Sequence, residues 1–416
     1  PMPDPGWRSR SAVDGWQPCG DVILFPADPQ RGPTPRQVHM NPKLTHLLEQ
    51  SPDALAIDGF LESNTFPLTS PGSVSFVYRG EADVVLLQHW IYGLPSSQEL
   101  ERVPGTDLWH LSLELPPDSR IEYKFDVIRG ETNEWITDPL NPLTAEDPFG
   151  RNSVCRAHGY RRPDWTEPSA CARPGSLKAI SMHSDYLEGP REIVIYLPAR
   201  FRKTRQYPLL IVHDGQDFLR FADLKAVLDN LIDRLEIPPM IVALTEAGDR
   251  LREYAGDPGH ANFLARELLP RLQSSLPLED DRRRRCLMGA SFGAVASLST
   301  AWRYPGLFDR LLLLSGSFAF SDIGTHGRGP VFDPVVQFMN AFRKSPGTPA
   351  RKLYVACGVY ESLIYENRSL VPLLQANHMD VRFREVRDGH NWENWRDRLQ
   401  DGLSWLFPGP LWMVYE

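Results

Sequence analysis

The pentapeptide Gly289-Ala290-Ser291-Phe292-Gly293 has the G-x-S-x-G spacing of a nucleophile turn. The chemistry explains the spacing. A serine hydroxyl becomes a nucleophile when it projects from a sharp turn and a neighbouring base takes its proton. Such a turn strains the serine backbone, and glycines on either side let the flanking strand and helix approach closely. The helix N-terminus then lies beside the serine and favours negative charge developing there. Glu361 and His390 follow Ser291 in chain order. Serine, acid and histidine in that order can carry out acyl transfer. Ser291 would attack, His390 would act as general base, and Glu361 would hold the imidazole. Asp388 is a competing acid, but it lies two residues from His390, and its expected role is to shape that turn. An oxyanion needs two backbone donors. The Phe292 N–H is one, and the Gln216 N–H, in the loop His213-Asp214-Gly215-Gln216-Asp217, is the expected second.

These groups need a scaffold that brings distant loops to one edge. Largely apolar runs at 193–197, 208–213, 239–244, 286–288, 311–315 and 352–357, with a further strand at 381–386, read as strands. Helical patterns at 222–235, 262–274 and 363–377 alternate with them. This is the pattern of a parallel sheet with helices on both faces. Glu361 and His390 both fall just past strand carboxyl ends, where such a sheet places its site. The expected fold class is α/β: an α/β-hydrolase with a mostly parallel central sheet.

The first half reads differently. Residues 1–36 are rich in Pro, Gly and Arg and are expected to form an extended arm. Residues 42–63 are helical in part. Segments 74–80, 83–87, 108–115 and 120–127 are strands separated by turn residues, as in a β-sandwich. Trp109 and Trp135 read as core residues, with an exposed sugar platform as the alternative. The expected division is an arm plus β-sandwich over 1–150, a linker over 151–176 and a catalytic domain over 177–416.

The chain's 416 residues are enough for two domains. A net charge of −8 argues against non-specific nucleic-acid binding. No apolar run approaches the roughly 20 residues of a membrane helix. The run Arg282-Arg283-Arg284-Arg285 adjoins Asp280 and Asp281 and reads as a solvated loop. Five cysteines at irregular spacings form no C-x-x-C pair and no Cys/His metal pattern. They read as thiols of a reducing compartment, hence a cytoplasmic protein with no metal or cofactor. No signal peptide is visible, although the start at Pro1-Met2 leaves a removed leader open. Oligomeric state is left open.

Residues 178–408 resemble the putative-esterase family that includes enterochelin esterases, feruloyl esterases, esterase D and the mycolyl transferases. The matching pieces are Asp214-Gly215-Gln216, Arg250-x-x-Glu253-Tyr254, Gly289–Gly293 and Asp388-Gly389-His390-Asn391-Trp392-x-x-Trp395-Arg396. The stretch Trp135 to Pro142 resembles the end of an early-set immunoglobulin-like domain, and the turn Gly105 to Trp109 is similar to that group. The whole layout is most similar to an enterochelin esterase. The resemblance implies a serine ester hydrolase acting on a small-molecule ester such as a siderophore lactone, through an acyl-serine and without a cofactor. It implies Gln216 and Phe292 at the oxyanion hole, an N-terminal domain that helps wall the pocket, and Arg250 and Trp392 as substrate contacts. An Arg250–Glu253 brace is the alternative for Arg250. Two alternatives for the whole chain stay open: a feruloyl esterase with a polysaccharide-binding N-terminal domain, and a non-catalytic binding protein on a hydrolase scaffold.

Overall fold

The apolar runs of the second half assemble into an eight-stranded sheet. Across it the order is Ser176–His183, Pro190–Leu197, Ile241–Thr245, Leu209–His213, Arg285–Ala290, Arg310–Leu314, Lys352–Gly358 and Asp380–Val386. The last six run parallel, and the first two form an antiparallel margin. The central strands are buried on both faces, which is why they read as unbroken apolar runs. Alternate residues serve opposite layers. Leu209 and Ile211 pack with Leu298 and Phe308, whereas Leu210 and Val212 pack with Leu228 and Leu403. The fold is α/β-hydrolase-like, a mixed sheet covered by helices. The computed structural model describes residues 39–321 and 326–410, so the arm expected over 1–36 lies outside the described residues.

Several helices were not legible in the pattern. Gly215–Phe221 is helical, where a loop is expected, and Asp333–Lys344 fills a stretch with no assignment. Trp392–Asp397 and Leu399–Leu406 follow His390 and return to the sheet.

The N-terminal part holds two antiparallel sheets. One has four strands: Leu68–Ser70, Ser73–Arg79, Leu108–Glu114 and Glu101–Arg102. The other has six, with Val84–His89, Arg120–Arg129 and Gly150–Arg156 at its centre. Phe76, Tyr78, Val85, Leu87, Tyr123 and Phe125 form the core between them. Trp109 lies in that core and donates its Nε1–H to the Gly80 carbonyl at 3.1 Å. Trp135 does not: it is 46% exposed on the strand Thr132–Ile136, a correction to the core reading. Its strand is exposed at four of five positions, so neither face is covered there. The second sheet also runs past residue 150, because Gly150–Arg156 pairs with Arg120–Arg129 inside the stretch expected as linker. In the rest of that stretch Trp165 is buried against the catalytic sheet's helices.

Among the described residues, no helix is long and apolar enough to cross a membrane. Cys155, Cys286 and Cys357 are buried free thiols, and Cys171 is exposed and free. The arginine run is a short 3₁₀ turn at Arg282–Arg284 whose neighbours Asp280, Asp281 and Glu279 pair with it.

Candidate active site

The strand Arg285–Ala290 is fully buried and ends at Ser291, which takes φ 56° and ψ −120° before the helix Phe292–Arg303 begins. Positive φ is costly for a serine, on the order of 1–3 kcal/mol, and the surrounding packing has to hold it. The glycines make that packing feasible. A Cβ on Gly289 would lie 2.3 Å from the Gly293 carbonyl carbon, and one on Gly293 would lie 3.1 Å from His213 Cβ. Neighbours fasten the turn: the Ser291 N–H donates to the Leu314 carbonyl at 2.9 Å, and the Ser317 N–H donates to the Ser291 carbonyl at 3.2 Å. Ser291 is 9% exposed, and its Oγ lies 3.1 Å from Ser317 Oγ.

Glu361 and His390 meet, with His390 Nδ1 at 2.7 Å from Glu361 Oε2. An Nδ1–H donated to that carboxylate leaves Nε2 as the basic nitrogen. The other carboxylate oxygen is also held. Glu361 Oε1 accepts from Ser315 Oγ at 2.6 Å and from the Gly358 N–H at 2.7 Å. Ser315 Oγ in turn accepts from Trp395 Nε1–H at 2.9 Å. The Trp395 ring meets the His390 ring edge to face at 5.0 Å. The acid is thus locked by groups from two other elements, and the imidazole is packed as well as hydrogen-bonded. A Cβ on Gly358 would lie 2.2 Å from the Asp388 carbonyl oxygen, so glycine there lets the acid and histidine loops close on each other.

Asp388 does not touch His390. Its Oδ1 accepts from the Gly389 N–H at 2.7 Å, from Asn391 Nδ2 at 2.8 Å and from Arg120 Nη1 at 3.3 Å. Burial pushes its pKa up to about 6, against the pull of Arg120. This is the turn-shaping position expected of it.

The loop after Leu209–His213 turns at once into the helix Gly215–Phe221, with Asp214 left-handed at φ 54°. A Cβ on Gly215 would lie 2.4 Å from Leu244 Cβ, so the close approach requires glycine. Both expected oxyanion donors therefore sit at helix starts. Phe292 is the first residue of its helix, where the N–H has no partner within the helix. The Gln216 N–H donates to Glu246 Oε1 at 2.6 Å. Burial, with Asp214 and Asp217 adding to it, pushes Glu246 up to about 7.

Arg250 is placed at this turn. Its Nε and Nη2 make a bidentate pair with the two Asp214 oxygens at 2.9 and 2.8 Å. Its side chain is 37% exposed and its guanidinium carbon lies 6.0 Å from the Phe292 ring centre. The Arg250–Glu253 brace does not form; Glu253 pairs with Arg191 at 2.8 Å instead. Trp392 lies deeper than Arg250. It is 9% exposed and packs on Phe218, Phe221 and Trp395 at 5.2, 5.7 and 4.8 Å between ring centres. Its ring packs along the helix Gly215–Phe221.

Sequence reasoning passed over Ser315, Ser317, Glu246 and Arg120. Ser315-Gly316-Ser317 follows the strand Arg310–Leu314 at the sheet's carboxyl edge, and that position was a usable signal. Glu246 follows Ile241–Thr245 in the same way. Arg120 gives no such signal, because its partners lie about 270 residues away, at Asp388, Asn391 and Glu393. The mutual register of two sheets brings them together.

The chain matches the family described as Putative esterase over residues 184–406 and the family described as Enterochelin esterase, N-terminal over residues 73–174. It is 27% identical over 350 residues to the Iron(III) enterobactin esterase of Dickeya dadantii, covering 75% of this chain and 80% of that one. It is 26% identical to the Iron(III) enterobactin esterase of Escherichia coli O6:H1 over 332 residues, covering 74% and 81%. The ferric enterobactin esterase structure from Salmonella typhimurium superposes with a TM-score of 0.71 at 22% identity, covering 84% of this chain and 98% of that one. At that identity the superposition speaks for the fold alone. A match to more than half of the residues places the chain in the family described as Putative esterase, and it is an ester hydrolase of the enterochelin-esterase-like kind.

Proposed function

We propose that this chain is a serine ester hydrolase that opens the ester bonds of a siderophore lactone through an acyl-serine intermediate. The observation that carries the reading is the 2.7 Å pairing of Glu361 with His390 behind a strained Ser291. In the first step His390 Nε2 takes the Ser291 Oγ proton as Oγ attacks the ester carbonyl. The oxygen that becomes negative is held by the Phe292 N–H and by the Gln216 N–H once Glu246 has released it. Collapse breaks the C–O bond, and the alcohol leaves with the proton from His390. Water then attacks the acyl-serine by the same route and frees the acid. Glu361 accepts the Nδ1–H bond and steadies the imidazolium. For attack, the Ser291 hydroxyl has to exchange Ser317 for His390.

The substrate class rests on the relatives named iron(III) enterobactin esterases and on the matching N-terminal family. In this reading the N-terminal part is an early-set immunoglobulin-like sandwich, the catalytic part spans 177–416, and Arg250 offers its exposed edge to an oxygen-rich acyl group while held by Asp214. The free thiols fit a reducing compartment.

The test is a hydrolysis screen across trilactone siderophores, feruloylated sugars and short acyl esters, read by mass spectrometry, with Ser291→Ala alongside. Cleavage of the trilactone to open-chain hydroxy acids is expected, and Ser291→Ala should lose on the order of 10⁴–10⁶ in kcat. Turnover confined to feruloylated sugars would move the substrate class, and a Ser291→Ala enzyme within about tenfold of wild type would remove the nucleophile.

A further inference from the structure

Arg120 opens the strand Arg120–Arg129 of the N-terminal six-stranded sheet, yet its side chain is 0% exposed and most of its donors go to the loop that carries His390. Nε donates to Glu393 Oε2 at 2.9 Å, and Nη2 lies 2.7 Å from the same oxygen. Nη1 donates to Asn391 Oδ1 at 2.9 Å and to Asp388 Oδ1 at 3.3 Å. Nη2 also donates to Glu122 Oε1, on its own strand, at 2.8 Å. The backbone joins in, with the Arg120 N–H donating to the Arg387 carbonyl at 2.9 Å. These partners stand at 387, 388, 391 and 393, on both sides of residue 390. The neighbouring Ser119 Oγ lies 2.6 Å from the Tyr360 hydroxyl, next to Glu361, and the Tyr92 N–H donates to the Tyr360 carbonyl at 2.9 Å. One end of the N-terminal sheet therefore grips the acid loop and the histidine loop together.

A contact that only joined two units could be apolar, and buried ion pairs are a weak source of stability. A planar guanidinium with donors in fixed directions sets geometry. We infer that Arg120 is a positioning residue for ester hydrolysis, holding the loop 387–393 so that His390 faces both Glu361 and Ser291. The inference rests on the proposed role of His390 as general base. It makes the N-terminal unit part of the catalytic apparatus for every ester, in addition to any pocket wall it provides.

The experiment compares full-length Arg120→Met, Arg120→Lys, His390→Ala and wild type. Readouts are kcat and KM for p-nitrophenyl acetate, melting temperature, and the downfield proton resonance of the Glu361–His390 hydrogen bond, assigned by its absence from His390→Ala. A loop displaced by about 1 Å costs up to about 100-fold in rate. Arg120→Met should lose about 30-fold in kcat well below its melting temperature, with KM changed less than about threefold and the resonance broadened or lost. Arg120→Lys, which keeps the charge without the fork, should fall between, and it carries the test alone where Arg120→Met does not fold. A folded variant with kcat within about threefold of wild type and an intact resonance overturns the role of Arg120. If instead His390→Ala keeps its activity, the site reading itself fails, whatever Arg120 does.

Discussion

The Gln216 amide and the Glu246 carboxylate hold each other at 2.6 Å, on the donor that an oxyanion would need. A carboxylate accepts such a bond more strongly when ionised. Glu246 is also costly to ionise here, with burial pushing it from the usual 4.5 to about 7. With Gln216 as the proposed oxyanion donor, substrate and ionised Glu246 would compete for one N–H.

The sign of the pH dependence follows. As pH rises through about 7, Glu246 ionises and tightens on Gln216, so kcat/KM should fall on the alkaline side. Glu246→Ala should remove that alkaline fall. Stability moves in the same direction. A carboxyl whose folded pKa is raised contributes stability that is fully present below about 4.5 and lost as pH rises through about 7. Glu246→Gln should therefore raise the melting temperature by a few degrees relative to wild type at pH 8, and by less at pH 5. Equal shifts at both pH values would show that Glu246 does not titrate in this range.

Glu361→Gln should cost about 10³-fold or more in kcat, because an amide in place of the carboxylate loses the charge that steadies the imidazolium. Asp388→Asn should cost far less at the chemical step, since Asp388 bonds to Gly389, Asn391 and Arg120 and leaves His390 alone. Its loss should appear chiefly as a lower melting temperature. Steady-state kinetics on an acetate ester and thermal melts separate the two. A larger kcat loss for Asp388→Asn would exchange the assignments.

Much of the candidate site was legible in the sequence, for a physical reason. Ser291, Glu361 and His390 lie just past strands whose apolar runs are unmistakable, and a parallel sheet delivers every such loop to one edge. Gln216 and Phe292 follow by the same rule. The packing of Trp392 was not legible, because the resemblance that names it as a substrate contact does not say that its ring meets Phe218. Trp135 misled because a tryptophan is by type a core residue, whereas its short strand is exposed on both faces. Arg120 was out of reach, since its partners are set by how two sheets dock.

Ser315 offers a finer test of the locked acid. Its hydroxyl bridges Glu361 Oε1 and Trp395 Nε1 at 2.6 and 2.9 Å. Ser315→Ala removes one of three donors to the carboxylate and leaves the Trp395 N–H unpartnered in the core. A lost bond to a charged group costs about 1.5–3 kcal/mol, so kcat should drop by roughly 10- to 100-fold. The Gly358 N–H should keep Glu361 near its place, and KM should barely change. A variant with full kcat would mean that the acid needs no such support.

Arg250 is where the bracing and contact readings part. Two of its nitrogens are committed to Asp214, whose left-handed residue starts the helix carrying the Gln216 N–H. Lysine cannot reproduce a bidentate pair. Arg250→Lys should therefore loosen the turn and shift an oxyanion donor, lowering kcat about 10- to 100-fold on a small acetate ester and on a trilactone alike. The melting temperature should fall by a few degrees. Asp214→Asn should do the same, and the double variant should be little worse than either single one, because both remove one interaction. Any added rise in KM on the trilactone alone measures what the exposed edge of Arg250 contributes to binding. If kcat on the acetate ester and the melting temperature both stay at wild-type values while only the trilactone KM rises, the bond to Asp214 is incidental and Arg250 acts on substrate alone.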